Sequence, residues 1–242
     1  MDETLEPLRG DLRIYQKRQG FRFGLDAVLL AAHAGPRPGE AVCDLCTGSG
    51  VVPLLLADSP ADSLCGLELQ QDYADMAARS VALCGLSGRI DIRQGDLRHI
   101  GAHYPAGAFR LVTVNPPYRR AGAGLLSGRT DVDVARAELT CTLEQVCAAA
   151  AHLLPEGGRL VLVHRPERLA DLFSALRAEG LEPKRLRFVQ KTAGAAPSLL
   201  LLQARRGGAA GLSVCAPLLL EDADGRQSDE LRRIYKGEQV WN

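Results

Sequence analysis

Between residues 41 and 180, apolar runs of strand length alternate with amphipathic stretches of helical length, and this alternation limits the chain to a narrow class of folds. Strand patterns at 41–45, 64–67, 90–94, 109–114 and 160–164 are separated by helical patterns at 51–57, 70–84, 143–154 and 167–179. Gly85 and Gly180 stop two of these helices, and Pro155 with Gly157-Gly158 stops another. The order predicts a doubly wound, mostly parallel α/β sheet, Rossmann-like, with helices on both faces and right-handed crossovers. Two further strand-like runs, 185–190 and 198–203, are joined by a link too short for a helical crossover, so they are expected to pair antiparallel. A flexible joint at 207–211, a short strand near Leu218 and a charged helix at 228–235 follow.

Ahead of the sheet, residues 8–23 read as a hairpin. Leu12, Ile14, Phe21 and Phe23 alternate as apolar positions, and Arg18-Gln19-Gly20 supplies a turn. Asp26 is expected to cap an apolar helix at 27–34, which Gly35-Pro36 ends. The chain is therefore divided into an N-terminal hairpin and helix extension, 1–39, and a main domain, 40–242.

Composition removes several classes. With 242 residues, 46% of them hydrophobic, the chain buries a full α/β core. No apolar run reaches the roughly 18 residues of a membrane span. The acidic start Met-Asp-Glu-Thr-Leu-Glu lacks the basic head and apolar stretch of a secretory signal, so the expected location is cytoplasmic. Seven scattered cysteines argue against a disulfide framework. Cys43 and Cys46 form a C-x-x-C without a second ligand pair, so no metal site is expected. Formal net charge is zero, and only its distribution hints at a partner. Arg9, Arg13, Lys17, Arg18 and Arg22 form one basic stretch; Lys184, Arg185, Arg187 and Lys191 form another.

Asp44-Leu45-Cys46-Thr47-Gly48-Ser49-Gly50 ends a strand in a glycine turn that opens a helix, the place where doubly wound sheets bind nucleotide-like ligands. Gly48 and Gly50 allow close backbone approach, and amides at a helix start favour a carboxylate. A dinucleotide fingerprint would need a small residue at its sixth position, where this chain has Pro53. Glu68 ends the second strand, placed to accept both hydroxyls of a ribose, with Leu69 beside it. Asp96, followed by Leu97, comes after the third strand and offers an acceptor to an adenine amino group.

The fourth strand is followed by Asn115-Pro116-Pro117-Tyr118. Two prolines fix the backbone and remove two donors, leaving neighbouring carbonyls free to accept. With the side-chain carbonyl of Asn115, they are suited to hold both hydrogens of an exocyclic amino group, and Tyr118 offers a flat stacking face. Such a grip aims a planar nitrogen at a methyl donor, and positioning supplies most of the rate.

Asp44 to Gly50, Glu68, Asp96 and Asn115 to Tyr118 together resemble the class I methyltransferases. Gly20-Phe21-Arg22-Phe23-Gly24-Leu25-Asp26, Ala135-Arg136-Ala137-Glu138 and Val163-His164-Arg165-Pro166-Glu167 narrow the resemblance to the bacterial tRNA1(Val) adenine-37 N6-methyltransferases, over residues 12–237. The resemblance implies a seven-stranded sheet with an antiparallel last strand. It also implies S-adenosyl-L-methionine as cofactor, leaving as S-adenosyl-L-homocysteine, and a segment carrying Phe23 and Asp26 that closes over the cofactor. By it, Asp44, Cys46, Thr47, Gly48, Gly50, Glu68, Leu69, Asp96, Leu97 and Asn115 hold the cofactor, and Asn115, Pro116, Pro117 and Tyr118 carry catalysis. Two residues depart from the pattern. Cys46 stands where the family usually has a glycine, and a side chain resists positive φ, so a shifted loop or altered cofactor affinity is expected. Ala137 replaces a frequent histidine, which weakens any substrate role for that stretch.

The leading expectation is adenine N6 methylation in tRNA, with the target base leaving its stack and Arg13, Lys17 and Arg18 holding phosphates. A protein glutamine N5-methyltransferase is the alternative, since the same tetrapeptide can hold an amide. Those enzymes carry a separate helical N-terminal domain, for which the residues before the first core strand are too few. DNA adenine methylation would call for a target-recognition insert, which is not evident. A non-catalytic cofactor-binding RNA adaptor would have no need of an intact Asn-Pro-Pro-Tyr.

Overall fold

The computed structural model describes residues 2–20, 22–116 and 141–239. The sequence readings on Phe21, on Pro117 and Tyr118, and on Ala135 to Glu138 lie outside these residues. A mixed sheet is built on seven long strands, in the spatial order β8-β9-β7-β6-β3-β4-β5. These are β3 (Ala41–Leu45), β4 (Ser63–Glu68), β5 (Ile90–Gln94), β6 (Leu111–Val114), β7 (Arg159–His164), β8 (Leu181–Gln190) and β9 (Pro197–Arg206). All neighbouring pairs are parallel except those made by β9, which runs antiparallel to both β7 and β8. The expected doubly wound sheet with one reversed strand is therefore present. Two short strands, β10 (Ser213–Val214) and β11 (Leu218–Leu219), add to the outer edge of β8 in parallel and extend the sheet to nine strands.

Period-2 alternation sorts the strands' side chains onto two cores. Val42, Leu64, Leu111, Val161, Val163 and Leu201 point to one face, where helices α1 (Leu25–Ala34), α2 (Val51–Leu55) and α7 (Asp229–Tyr235) contribute Leu29, Leu30, Leu54, Leu231 and Ile234. Cys43, Leu45, Val112, Val114, Leu160 and Leu162 point to the other, covered by α5 (Leu143–Leu153) and α6 (Leu169–Ala178). Removing a leucine such as Leu30 or Leu160 from water contributes roughly 1.5–3 kcal/mol. Helix α3 (Gln71–Leu83) follows β4, and α4 (Ile100–His103) follows β5 after one 3-10 turn. Among the described residues, no helix is long and apolar enough to cross a membrane.

The N-terminal hairpin differs from the expected one. Its strands are β1 (Glu3–Pro7) and β2 (Arg13–Lys17), joined through Leu8 to Leu12, with Gly10 at φ 55°. Arg18-Gln19-Gly20 is not its turn, and Phe23 belongs to no strand. Gln16 explains why: its Oε1 accepts the Phe23 amide at 3.1 Å and its Nε2 donates to Glu6 at 2.8 Å, so it ties the following segment to β1 by side chain instead of by a ladder. Asp26 is also not the cap of α1. The helix begins two residues earlier than expected, at Leu25, with Gly24 at the N-cap position and no side-chain cap.

Two partly buried ion pairs fasten the flanking helices to the sheet. Arg159 of β7 donates to Glu40 at 2.6 Å and to the Gly35 carbonyl at 3.0 Å, which pins the end of α1. Arg187 of β8 meets Glu230 of α7 through two bonds of 2.6 and 2.8 Å and also reaches His33 Nε2 at 3.3 Å. His33 is fully buried, and its Nδ1 bonds the Leu29 carbonyl at 2.8 Å.

Candidate active site

Strand β3 runs into the glycine turn at the carboxyl edge of the sheet, between β4 on one side and β6 on the other. Cys46 leaves the strand with φ 56°, the one positive φ of a non-glycine among the described residues. It takes the left-handed conformation that glycine would adopt freely, at a steric cost. Gly48 and Gly50 follow at φ 57° and 84°, and α2 starts at Val51. At Gly50 a side chain is excluded twice over: the φ is unfavourable, and an added Cβ would lie 3.0 Å from Ala77 Cβ of α3.

Glu68 organises this turn. One carboxylate oxygen accepts the Gly48 amide and the other the Gln70 amide, each at 2.9 Å, while its carbonyl accepts the Gly95 amide at 2.8 Å. Three strand ends, those of β3, β4 and β5, are thereby linked through one residue. Burial raises the Glu68 pKa, and the amides of Gln70 and Gly48 oppose that rise. Each oxygen keeps lone-pair capacity beyond the amide it holds. Leu69 offers its carbonyl to Gln94 Nε2 at 2.9 Å.

Beneath the turn lies a buried polar pair that sequence reasoning did not find. Asp44, 2% exposed, accepts the hydroxyl of Thr113 at 2.6 Å across the β3–β6 register. Burial pushes the Asp44 carboxyl up to about 7, against the Thr113 hydrogen bond. The available signal was a lone threonine in the apolar run 111–114. Gly66, in register with Asp44, makes room for Thr47: a Cβ there would come within 2.8 Å of Thr47 Cγ2. The Thr47 hydroxyl is buried beside the Asp44 carboxyl, and with Thr113 it opposes the rise of the Asp44 pKa.

Asp96 caps the 3-10 turn after β5 and is clasped by Arg98, whose guanidinium reaches both carboxylate oxygens, at 2.5 to 3.0 Å. The Arg98 side chain holds the Asp96 carboxyl below its ordinary range. The acceptor expected to face an adenine amino group is thus engaged by a cation in the structure. Leu97 is buried in the core beside it.

Asn115 and Pro116 follow β6 directly, half-buried and buried respectively. The last paired residues of β3 and β6 are Leu45 and Val114, so Cys46 and Asn115 are the next residues of neighbouring parallel strands. This brings the first half of the tetrapeptide and the glycine turn to one crevice at the point where the strand order reverses. The influence of Cys141, together with burial, pushes the Cys46 thiol up, and that of Cys46 pulls the Cys141 thiol down.

The remaining expected residues lie elsewhere. Phe23 lines a cavity of about 190 Å³ with Val28, Leu55, Ile234 and Tyr235. Asp26 sits in the first turn of α1. Lys17 pairs with Asp72 and stacks 4.7 Å over the Tyr73 ring, and Arg22 pairs with Glu6. Arg18 bonds the Glu3 carbonyl at 3.3 Å, and Arg13 is exposed. Much of the basic stretch is therefore already neutralised by local acids. Among the described residues, no group of histidines, cysteines and carboxylates is arranged to hold a metal ion.

The chain is 30% identical over 224 residues to a tRNA1(Val) (adenine(37)-N6)-methyltransferase of Tolumonas auensis, covering 90% of this chain and 89% of that one. It is 34% identical over 158 residues to the enzyme of the same name from Porphyromonas gingivalis, covering 62% of this chain and 61% of the relative. A ribosomal protein uL3 glutamine methyltransferase of Bordetella pertussis is 32% identical over 180 residues, but only 56% of its length is matched. Among solved structures, a predicted O-methyltransferase, protein Atu636 from Agrobacterium tumefaciens, superposes with a TM-score of 0.74 at 23% identity, over 89% of this chain and 98% of that one. That likeness establishes the shared fold. No family model matches the chain.

Proposed function

This chain belongs to the tRNA1(Val) (adenine(37)-N6)-methyltransferase family, and from that premise we infer that it transfers a methyl group from S-adenosyl-L-methionine to N6 of an adenine in tRNA, of the tRNA1(Val) adenine-37 type. One observation carries the reading. Glu68 fastens the Gly48 amide at 2.9 Å in the crevice where Asn115 and Pro116 emerge from the neighbouring strand.

The residues present fit the cofactor. Two glycines at positive φ let backbone approach closely, and Glu68 retains acceptor capacity for ribose hydroxyls. The bound cofactor supplies an electrophilic methyl group. Asp44, Cys46, Thr47, Gly48, Gly50, Glu68, Leu69, Asp96 and Leu97 are the residues assigned to hold it. For Asp96 to take the adenine amino group, Arg98 must share or release its carboxylate.

On the substrate side, Asn115 and the following carbonyls accept the amino hydrogens and hold the nitrogen in line. The fixed prolyl backbone limits the reorganisation this needs. Pro117 and Tyr118 complete the set as the stacking half of the site. Arg13 and Arg18 are the hairpin cations best placed to meet phosphate, because neither carries a carboxylate partner among the described residues. On this reading residues 1–39 form an extension docked on the catalytic domain of 40–242, and the enzyme works on tRNA in the cytoplasm.

Nucleoside mass spectrometry of tRNA incubated with the protein and cofactor tests the assignment. N6-methyladenosine should appear at one position of one tRNA. A product confined to glutamine side chains of a protein substrate would select the alternative that the uL3 relative suggests.

A further inference from the structure

Asp96 stands one residue beyond Gly95, whose amide donates to the Glu68 carbonyl at 2.8 Å, so the acid assigned to adenine is tied to the acid assigned to ribose. A carboxylate offers about four lone-pair sites. At Asp96 a single neighbour takes them up. Oδ1 accepts the Arg98 backbone amide at 2.9 Å and Arg98 Nε at 3.0 Å; Oδ2 accepts Nε at 2.8 Å and Nη2 at 2.5 Å. Glu68 keeps acceptor capacity for a ligand, whereas Asp96 has none until Arg98 moves. The two Asp96 oxygens are not equivalent. Oδ1 is held in part by backbone, through the amide that caps the 3-10 turn Leu97–His99. Among the described residues, Oδ2 is held by the guanidinium alone. The Arg98 side chain is 43% exposed, so it can swing into water while the backbone cap and the buried Leu97 stay in place.

We propose that Arg98 is a latch on the adenine subsite and a determinant of its specificity: the guanidinium occupies Asp96 Oδ2, and the amino group of the cofactor binds by displacing it. This rests on the reading of the crevice as the cofactor cradle, with Asp96 as its adenine acceptor. The exchange replaces a charged donor by a neutral one, so opening the latch costs affinity. The cost falls equally on S-adenosyl-L-methionine and S-adenosyl-L-homocysteine, because both carry the same adenine. Product is therefore held less tightly than the open site would hold it. A purine with a carbonyl in place of the amino group cannot make the exchange, since Oδ2 would then face a second acceptor. Against such a ligand the latch stays shut.

The experiment measures dissociation constants for S-adenosyl-L-homocysteine and S-inosyl-L-homocysteine by calorimetry, on the full-length protein and on its Arg98→Ala and Arg98→Lys variants. Arg98→Ala keeps the backbone amide that caps the turn. It should bind the adenosyl compound about two- to fivefold more tightly than the parent, the worth of releasing one exposed ion pair. Arg98→Lys carries a point charge that cannot bridge both oxygens, so its affinity should fall between the two; it decides alone if Arg98→Ala does not fold. The ratio between variant and parent should contract toward one as sodium chloride rises from about 0.05 M to about 1 M, because salt screens the latch. The inosyl compound should gain nothing in either variant. If the parent binds the adenosyl compound and the variants bind it no more tightly, the latch is overturned and the cofactor reading stands. An equal gain for the inosyl compound overturns the latch in the same way. A parent and variants that all fail to bind the adenosyl compound sink the cofactor reading, and the latch with it.

Discussion

Glu68 Oε2 accepts the Gly48 amide at 2.9 Å, so the acid assigned to the ribose also sets the shape of the turn that carries the rest of the cofactor. Glu68→Gln replaces one acceptor oxygen by a donor group, which then faces either the Gly48 or the Gln70 amide. Loss of a hydrogen bond to a charged group costs about 1.5–3 kcal/mol. Cofactor dissociation constants from calorimetry should rise about tenfold to a hundredfold in this variant. An unchanged constant would detach Glu68 from the cofactor.

Asn115→Ala separates binding from chemistry. The side chain lies at the end of β6, past the last residue that pairs with β3. It is assigned to the amino group of the substrate. The single-turnover rate with tRNA should fall by about 10²–10³-fold, as for loss of one preorganised polar contact. Cofactor affinity should stay within about twofold of the parent, since this contact contributes mainly on the substrate side. A variant that methylates at the parental rate would favour a non-catalytic role for the tetrapeptide.

How far these features were legible depends on how local their causes are. The seven long strands declare themselves through runs such as Leu160-Val161-Leu162-Val163, whose two faces both find a core. The glycine turn is equally plain, because Gly48 and Gly50 meet a purely local demand for positive φ. The hairpin was misread because Phe21 and Phe23 mimic strand alternation, whereas the true partner strand, Glu3–Pro7, is acidic and ends in proline. Lys17 looked like a free phosphate contact until its partner, Asp72, appeared 55 residues downstream. The Asp44–Thr113 bond also joins residues distant in sequence, and no spacing rule announces it.

Cys46→Gly should make the turn easier to form. A non-glycine residue at positive φ costs about 1–2 kcal/mol, and glycine returns about 0.5–1 kcal/mol of that through the entropy of the unfolded chain. The net change should be stabilising by up to about 1 kcal/mol in urea denaturation. Cys46→Val, whose branched side chain tolerates this φ poorly, should destabilise by at least about 1 kcal/mol. The same sign for both variants would mean that backbone strain at Cys46 is not what sets the stability of the turn.

The buried ionisable groups give stability a pH dependence with opposing limbs. Burial lowers the His33 and His164 pKa values to about 4, from the 6.5 expected in the unfolded chain. Between these values the unfolded state binds protons that the native state refuses. Their contribution is therefore complete above pH 6.5 and is lost as pH falls toward 4. Asp44 works in the opposite direction. Burial lifts its pKa from 3.8 to about 7, so the native state keeps a proton that the unfolded state releases. Its contribution is complete below pH 3.8 and is lost as pH rises through 7. Melting temperatures between pH 4 and 8 should separate the limbs. Asp44→Asn keeps an acceptor for Thr113 but cannot ionise, so the decline of stability from pH 4 to 7 that Asp44 imposes should vanish from its profile. His33→Asn keeps a donor near the Leu29 carbonyl and should flatten the acid limb by an amount on the order of 3 kcal/mol. Parallel pH profiles for the parent and both variants would show that neither group titrates differently in the folded and unfolded chains.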